Sequence, residues 1–209
     1  VLMRLRDAGI DDFVINVHHF ADKIIDYVHD TPELSALDIR FSDERELLRN
    51  TGGGIRYAKP LLEGQNFLVH NVDIVSDLNI SEFENCARPD AVSTLLVSQR
   101  KTQRYFLFND DMRLVGWTNI ATGDVKTPFR GLDVSRCYKL AFAGIHMLSS
   151  EIFNVMDAID EAPEKYPLYD ASGNVIEGSC DALGQSFPIT DFYLRAAAAF
   201  PVYGKEPAH

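Results

Sequence analysis

Phe67-Leu68-Val69-His70-Asn71-Val72-Asp73-Ile74-Val75 reads as a buried strand, expected to run from Phe67 to Ile74. An apolar run enters it, a polar cluster interrupts it, and one carboxylate, Asp73, sits where the strand should end. Strands of a parallel sheet covered on both faces are near-continuous apolar runs. In open α/β sheets, ligands bind outside the carboxyl ends of such strands. That position aims Asp73 at a ligand or a metal rather than at the core. The competing reading is an Asp that caps the following turn, a common use of aspartate at a strand-to-loop junction.

Upstream of this stretch, residues 1–8 have helical spacing and stop at Gly9. Asp12-Phe13-Val14-Ile15-Asn16-Val17 is a strand rich in β-branched residues. Asp22 to His29 follows as a helix with Ile24, Ile25 and Val28 on one face, and Leu37-Asp38-Ile39-Arg40-Phe41 as the next strand. Strand, helix, strand at this spacing is a βαβ unit and predicts parallel pairing. Ser42-Asp43-Glu44 ends the second strand with charge; Asp43 and Glu44 read as a solvated strand end. Then comes Asn50-Thr51-Gly52-Gly53-Gly54-Ile55. Three glycines ahead of a helical pattern read as a loop that lets a backbone approach a ligand closely. Free N–H groups at the helix N-terminus beyond them would suit an anion or a base edge. The spacing fits neither a Walker loop nor G-x-G-x-x-G. A flexible turn is the plain alternative.

Downstream, Ile80 to Cys86 is a helix with Asn79 or Asp77 near its start, and Val92 to Ser98 is another buried strand. Tyr105-Phe106-Leu107-Phe108, an acidic turn at 109–111, and Arg113 to Trp117 form a β-hairpin that adds antiparallel strands to the sheet. Residues 120–137 read as a long polar loop of the kind that forms lids. Lys139 to Leu148 is a strand whose interior Gly144 marks a bulge or a close approach. A helix capped by Ser149 or Ser150 runs to Ile159, residues 161–186 are irregular, and a helix capped by Thr190 or Ser186 follows from Pro188.

Composition narrows the function classes. The 209 residues are 46% hydrophobic, enough for a sizeable core, with a net charge of −11. That charge argues against a nucleic-acid partner, which needs clustered Lys and Arg. It leaves room for phosphorylated small ligands held by backbone N–H groups and a divalent cation. Cys86, Cys137 and Cys180 are far apart and form no C-x-x-C pair, so they read as free thiols of a cytoplasmic protein. No apolar run approaches the roughly 20 residues of a membrane span. The chain opens on a helical pattern with no N-cap and closes without a finishing element, so both ends read as cuts in a longer protein.

One ordered set of segments carries a family resemblance. It comprises Val14-Ile15-Asn16-Val17-His18-His19, Ser42-Asp43-Glu44, Thr51-Gly52-Gly53-Gly54-Ile55, Asn71-Val72-Asp73-Ile74 and Phe142-Ala143-Gly144-Ile145. Together these resemble the sugar-1-phosphate nucleotidyltransferases. The nearest likeness is to the small bacterial branch of N-acetylmuramate-1-phosphate uridylyltransferases and mannose-1-phosphate guanylyltransferase-like proteins. The resemblance implies a Rossmann-like three-layer α/β/α fold, its mixed sheet mostly parallel with an inserted antiparallel hairpin. Residues 1–209 would be a single nucleotidyltransferase domain truncated at both ends. It also implies a nucleoside triphosphate, a sugar 1-phosphate and Mg²⁺ as ligands, with in-line attack on the α-phosphorus and release of pyrophosphate, in sugar-nucleotide biosynthesis for the cell envelope.

Residue by residue, the resemblance makes Asp73 the metal carboxylate and Asn71 its neighbour on the nucleotide side. It places Thr51, Gly52, Gly53 and Gly54 against the nucleobase, and Ala143 and Gly144 against the sugar. The family's G-x-G-T-R phosphate loop and its second metal carboxylate, in a W-x-D-x-G-like strand, have no match in the chain, so the chain alone is expected to be inactive. Asp191 is the nearest candidate for that second ligand; its helical setting equally suits a charge favoured by the helix dipole.

Other polar and aromatic residues have plainer uses. Adjacent His18 and His19 point to opposite sides and make a poor chelate. His70 reads as a hydrogen-bonded sheet residue, Arg100 and Lys101 as surface charge with phosphate contact the alternative, and Trp117 with the aromatics at 105–108 as core with a sugar-stacking role the alternative. A non-catalytic module that binds a nucleotide or sugar nucleotide is the second hypothesis. A dinucleotide-binding oxidoreductase is a weaker third, because no G-x-G-x-x-G follows the first strand.

Overall fold

The computed structural model describes residues 1–207. The first elements are α1 (Leu2–Asp7), β1 (Asp12–Val17), α2 (Ala21–Asp30), the single turn α3 (Pro32–Ser35) and β2 (Asp38–Asp43). They are followed by α4 (Asn50–Tyr57), the single turn α5 (Lys59–Leu62), β3 (Phe67–His70), α6 (Ile80–Asn85) and β4 (Ser93–Ser98). The hairpin strands β5 (Arg104–Phe108) and β6 (Leu114–Asn119) come next, then β7 (Asp124–Lys126), β8 (Tyr138–Leu148), α7 (Ile152–Glu161), α8 (Ile189–Ala196) and β9 (Val202–Lys205).

The βαβ reading of the first third is correct: β1 and β2 pair in parallel, Phe13 opposite Ile39. The buried stripe of α2 differs by one position. Ala21 and Val28 are buried and Ile25 is half-buried, whereas Ile24 lies exposed. At α6, Asn79 Oδ1 accepts the Glu82 N–H at 3.1 Å, the N-cap anticipated there.

The architecture is mixed α/β with helices flanking a sheet and the hairpin inserted, but the balance of pairing departs from expectation. A seven-stranded sheet runs β7-β6-β5-β8-β4-β9, with β3 also on β8, and only its β4–β9 pair is parallel. The cause is β8. It is eleven residues long and runs antiparallel to β3, β4 and β5 alike, so it imposes its own direction on the centre of the sheet. It bulges between Phe142 and His146, where its register with β4 shifts, and Gly144 takes up the distortion at φ +75°. Residues 120–137, expected as a loop, contribute β7 and a 3₁₀ turn at Val134–Arg136.

The main core packs α7 and α8 onto this sheet through Leu95, Phe108, Leu140, Ile152, Met156 and Phe192. Inside it, the Tyr193 hydroxyl of α8 and His146 Nδ1 of β8 share a hydrogen bond. Burial pushes the His146 imidazole from its ordinary 6.5 down to about 3 and the Tyr193 phenol up. Between those two pH values the unfolded chain holds a proton on His146 that the folded chain refuses. Stability is therefore full above about pH 6.5 and declines as the pH falls toward about 3. Between pH 6.5 and 5 this group removes about 2 kcal/mol. His146→Gln keeps a hydrogen-bonding partner for Tyr193 and has no proton to take up, so urea titrations at pH 7 and pH 5 are expected to show a steeper loss in wild type than in the variant. Equal losses would contradict this account.

Candidate active site

The opening stretch does not stay in the sheet as far as Ile74; β3 ends at His70. The Asn71 N–H donates to Gly144 O at 3.1 Å, which ends the ladder, and the Ile74 N–H reaches back to Asn71 O at 3.4 Å. The chain thereby turns, with Val72 and Asp73 exposed at the tip. Gly144 is fixed by the same turn. A Cβ on it would stand 2.7 Å from Asn71 Nδ2 and 2.6 Å from Ile74 Cδ1, and its φ already favours glycine. So the structure brings Asn71, Asp73 and Gly144 to one place, at the carboxyl end of β3. Ala143, half-buried beside Gly144, packs into the small core with Phe83 and Ile145.

The Asp73 carboxylate makes no hydrogen bond or ion pair among the described residues, so it is not the turn cap of the plainer reading. Mg²⁺ is usually held by one or two carboxylates together with substrate phosphates. A free carboxylate at a strand end fits one such position. Asp191 does not fit a second in the same way. It lies in the first turn of α8, and Lys126 of β7 holds its Oδ1 at 3.1 Å. Among the described residues, no group of three or more His, Cys, Asp and Glu side chains is poised to hold a metal.

The triple glycine is where sequence and structure differ most. Gly52, Gly53 and Gly54 are buried inside α4, not in a loop before it. The Gly52 and Gly53 N–H groups both donate to Phe187 O, at 2.9 and 3.2 Å. A Cβ on Gly52 would strike the Phe187 ring, and one on Gly53 would strike Gln185 O. The missing side chains let the helix lie directly on the 185–187 segment, and the amides expected for a ligand are used inside the protein. Thr51 adds a second tie: its Oγ1 accepts the Ile189 N–H at 3.0 Å. That supplies the cap for α8, replacing the Thr190 or Ser186 cap anticipated from sequence; Pro188 stands at the N-cap position with no side-chain bond.

Glu44 was misplaced by the sequence reading. It is 3% exposed, and its Oε1 accepts from Asn16 Nδ2 at 2.5 Å while Oε2 accepts the Arg49 N–H at 3.3 Å. His18 Nδ1 donates to its carbonyl at 2.8 Å. Gly54 faces this pair, a Cβ there falling 2.7 Å from Glu44 Oε1. The carboxylate thus joins the ends of β1 and β2 to the start of α4. The one available signal was register: Asn16 lies opposite Ser42, just before the strand end that precedes Glu44. Arg100, read as surface charge, donates to Phe142 O of β8 at 3.4 Å.

No protein-family model matches the chain. Among characterised proteins it is 31% identical over 158 residues to N-acetylmuramate α-1-phosphate uridylyltransferase of Caulobacter vibrioides, covering 73% of this chain and 62% of that protein. It is 38% identical over 80 residues to the enzyme of the same name from Neisseria meningitidis, covering 38% of this chain and 34% of that one. The chain therefore spans at most about three fifths of the curated relatives it matches. In fold it is similar to HddC from Yersinia pseudotuberculosis, with a TM-score of 0.62 at 17% identity over 98% of this chain and 73% of that one. The inositol-1-phosphate CTP transferase from T. maritima gives a TM-score of 0.63 at 11% identity, over 98% of this chain and 70% of that one. UDP-glucose pyrophosphorylase complexed with UDP-glucose gives 0.60 at 11%, over 99% and 77%. No helix among the described residues is long and apolar enough to cross a membrane. The chain's curated relatives are N-acetylmuramate α-1-phosphate uridylyltransferases, and its fold is that of the sugar-1-phosphate nucleotidyltransferases.

Proposed function

We propose that the protein is an Mg²⁺-dependent nucleotidyltransferase that moves a nucleoside monophosphate from a nucleoside triphosphate to a sugar 1-phosphate and releases pyrophosphate. The observation that carries this reading is the unpartnered Asp73 carboxylate at the end of β3, beside Asn71 and Gly144, in a chain with these relatives. Bound Mg²⁺ supplies positive charge against the phosphates, and Asp73 is the residue that would hold it. The chain's own contribution is positional, as suits a reaction in which orientation and charge stabilisation do most of the catalysis. The Asn71–Gly144 bond fixes the turn that carries Asp73. The glycine at 144 gives its side-chain space to Asn71 and Ile74, so a sugar ring beside it would meet the Asn71 amide and the β8 backbone. The α4 helix, locked by Phe187 and Glu44, presents exposed Asn50 and Thr51 as the part of the triple-glycine segment still able to meet a base.

The names of the curated relatives make UTP and N-acetylmuramate 1-phosphate the first pair to test, in a cytoplasmic route to sugar nucleotides for the cell envelope. The experiment is a panel of the four ribonucleoside triphosphates against several sugar 1-phosphates, with pyrophosphate release as the readout and full-length protein as catalyst. Turnover with one preferred pair, lost on chelation of Mg²⁺, is expected. Tight binding of a nucleotide or sugar nucleotide without turnover by any pair would replace the enzyme with a non-catalytic binding module.

A further inference from the structure

A cavity of about 380 Å³ opens at the β6–β7 edge of the sheet, lined among others by Trp117, Asp124, Lys126, Asp170, Ser172 and Ile176. Its Trp117 wall stands apart from Gly144 of the candidate active site. Trp117 stands opposite Phe106, Phe106 opposite Leu140, and Gly144 four residues further along β8. With strands about 4.8 Å apart and about 3.3 Å of rise per residue, that separates Trp117 from Gly144 by roughly 16 Å.

The walls are built rather than loose. One is the β6–β7 pair, where Trp117 faces Lys126 across the ladder. The other is the 169–176 turn. Tyr169 bridges to both Thr127 and Val175, and Asp170 Oδ1 accepts the N–H groups of Ser172 and Asn174. Behind it, the 5% exposed guanidinium of Arg195 donates to Tyr166 O at 3.2 Å and Asp181 O at 2.7 Å, fixing the segment that enters and leaves the turn.

The free groups define a ligand. Among the described residues, Lys126 Nζ has one hydrogen-bond partner, Asp191, and keeps two N–H directions, while standing 5.6 Å from the centroid of the Trp117 ring. Asp124 Oδ1 and Ser172 Oγ have no hydrogen-bond partner among the described residues, while Asp124 Oδ2 is held by Thr122. An acceptor, a hydroxyl and an ammonium around an aromatic ring are what a polyhydroxylated ring uses: hydroxyls on the polar groups, C–H faces on the indole. Charge disfavours the obvious competitor. Asp124 and Asp170 line the cavity and Asp191 adjoins it, against Lys126 in the lining and Arg130, which lies over Tyr169 beside the turn, so the surroundings stay net negative toward an anion.

We propose that this cavity is a second, separate subsite that binds a neutral saccharide of the hexose or N-acetylhexosamine class. The proposal is independent of the activity assigned to Asp73.

Trp117 is the single tryptophan of the 209 residues, so its indole N–H resonance, identified by its loss in Trp117→Phe, reports on the cavity directly. Titration with N-acetylglucosamine is expected to move that resonance saturably, and glycerol and inorganic phosphate at the same concentrations are expected not to. Ser172→Phe, at an exposed position, should fill the cavity and abolish the shift at an unchanged melting temperature. Asp124→Asn should weaken binding about fivefold to tenfold. Asp73→Asn should leave the titration unchanged, which separates this site from the proposed reaction. No saturable shift with N-acetylglucosamine, an equal response to phosphate, or a shift that survives in Ser172→Phe would each overturn the subsite.

Discussion

Full-length protein carrying Asp73→Asn is expected to keep its fold and lose Mg²⁺-dependent pyrophosphate release. Asp73 is exposed and unpartnered among the described residues, so exchanging a carboxylate oxygen for an amide breaks no hydrogen bond or ion pair of theirs. Surface substitutions of that kind usually change stability by less than about 0.5 kcal/mol. The loss in rate has a different origin. A metal ion contributes several kcal/mol of transition-state charge stabilisation, and a neutral amide is a poorer Mg²⁺ ligand than a carboxylate. If about 3–4 kcal/mol of that depends on the carboxylate, turnover falls by on the order of 10²–10³-fold. Steady-state assays across a range of Mg²⁺ concentrations should show the defect easing only partly at high metal. Wild-type turnover in the variant at ordinary Mg²⁺ would remove Asp73 from the metal site, whatever became of the family assignment.

Where local chemistry and tertiary demand agree, the fold was legible in the chain. The apolar, β-branched runs at 12–17 and 92–98 became β1 and β4, the acidic turn at 109–111 closed the hairpin, and the lone glycine in Phe142-Ala143-Gly144-Ile145 marked a real bulge. Legibility failed where a contact distant in sequence reversed a local preference. Glycine has nearly the lowest helix propensity of any residue, so three in a row point to a loop. What holds them helical is Phe187 and Gln185, more than 130 residues further on. The direction of β8 could not be read either, because an apolar strand carries no mark of its partner's direction. At the site, position at a strand end singled out Asp73 and Gly144. The burial of Glu44 against Asn16 and the capture of Asp191 by Lys126 rest on pairings between remote segments, and isolated charges in a sequence do not declare those.

Gly53→Ala tests that helix directly, because the two readings of the triple glycine predict opposite signs. In a flexible loop, replacing glycine with alanine at a compatible backbone angle is neutral or stabilising by about 0.4–1 kcal/mol, since the unfolded chain loses freedom. In an unobstructed helix the gain would be about 1 kcal/mol. In this structure the new Cβ meets the carbonyl oxygen of Gln185, with the Gln185 carbonyl carbon and Arg49 Cβ both at 3.2 Å. The first two are backbone atoms and cannot swing aside like the end of a long side chain, so α4 must move off the 185–187 segment. That movement weakens the two N–H bonds to Phe187 O and the Thr51 cap on Ile189 together. Overpacking of this kind costs about 1–3 kcal/mol, and loss of a cap about 1 kcal/mol more. A net destabilisation of about 2–3 kcal/mol is therefore expected, lowering the melting temperature by about 4–10 °C for a chain of this size. Urea unfolding of Gly53→Ala beside Thr51→Ala separates the terms, since the latter removes only the cap and should cost about 1 kcal/mol. A Gly53→Ala protein as stable as wild type would restore the loop, and with it the N–H groups that a nucleobase would need.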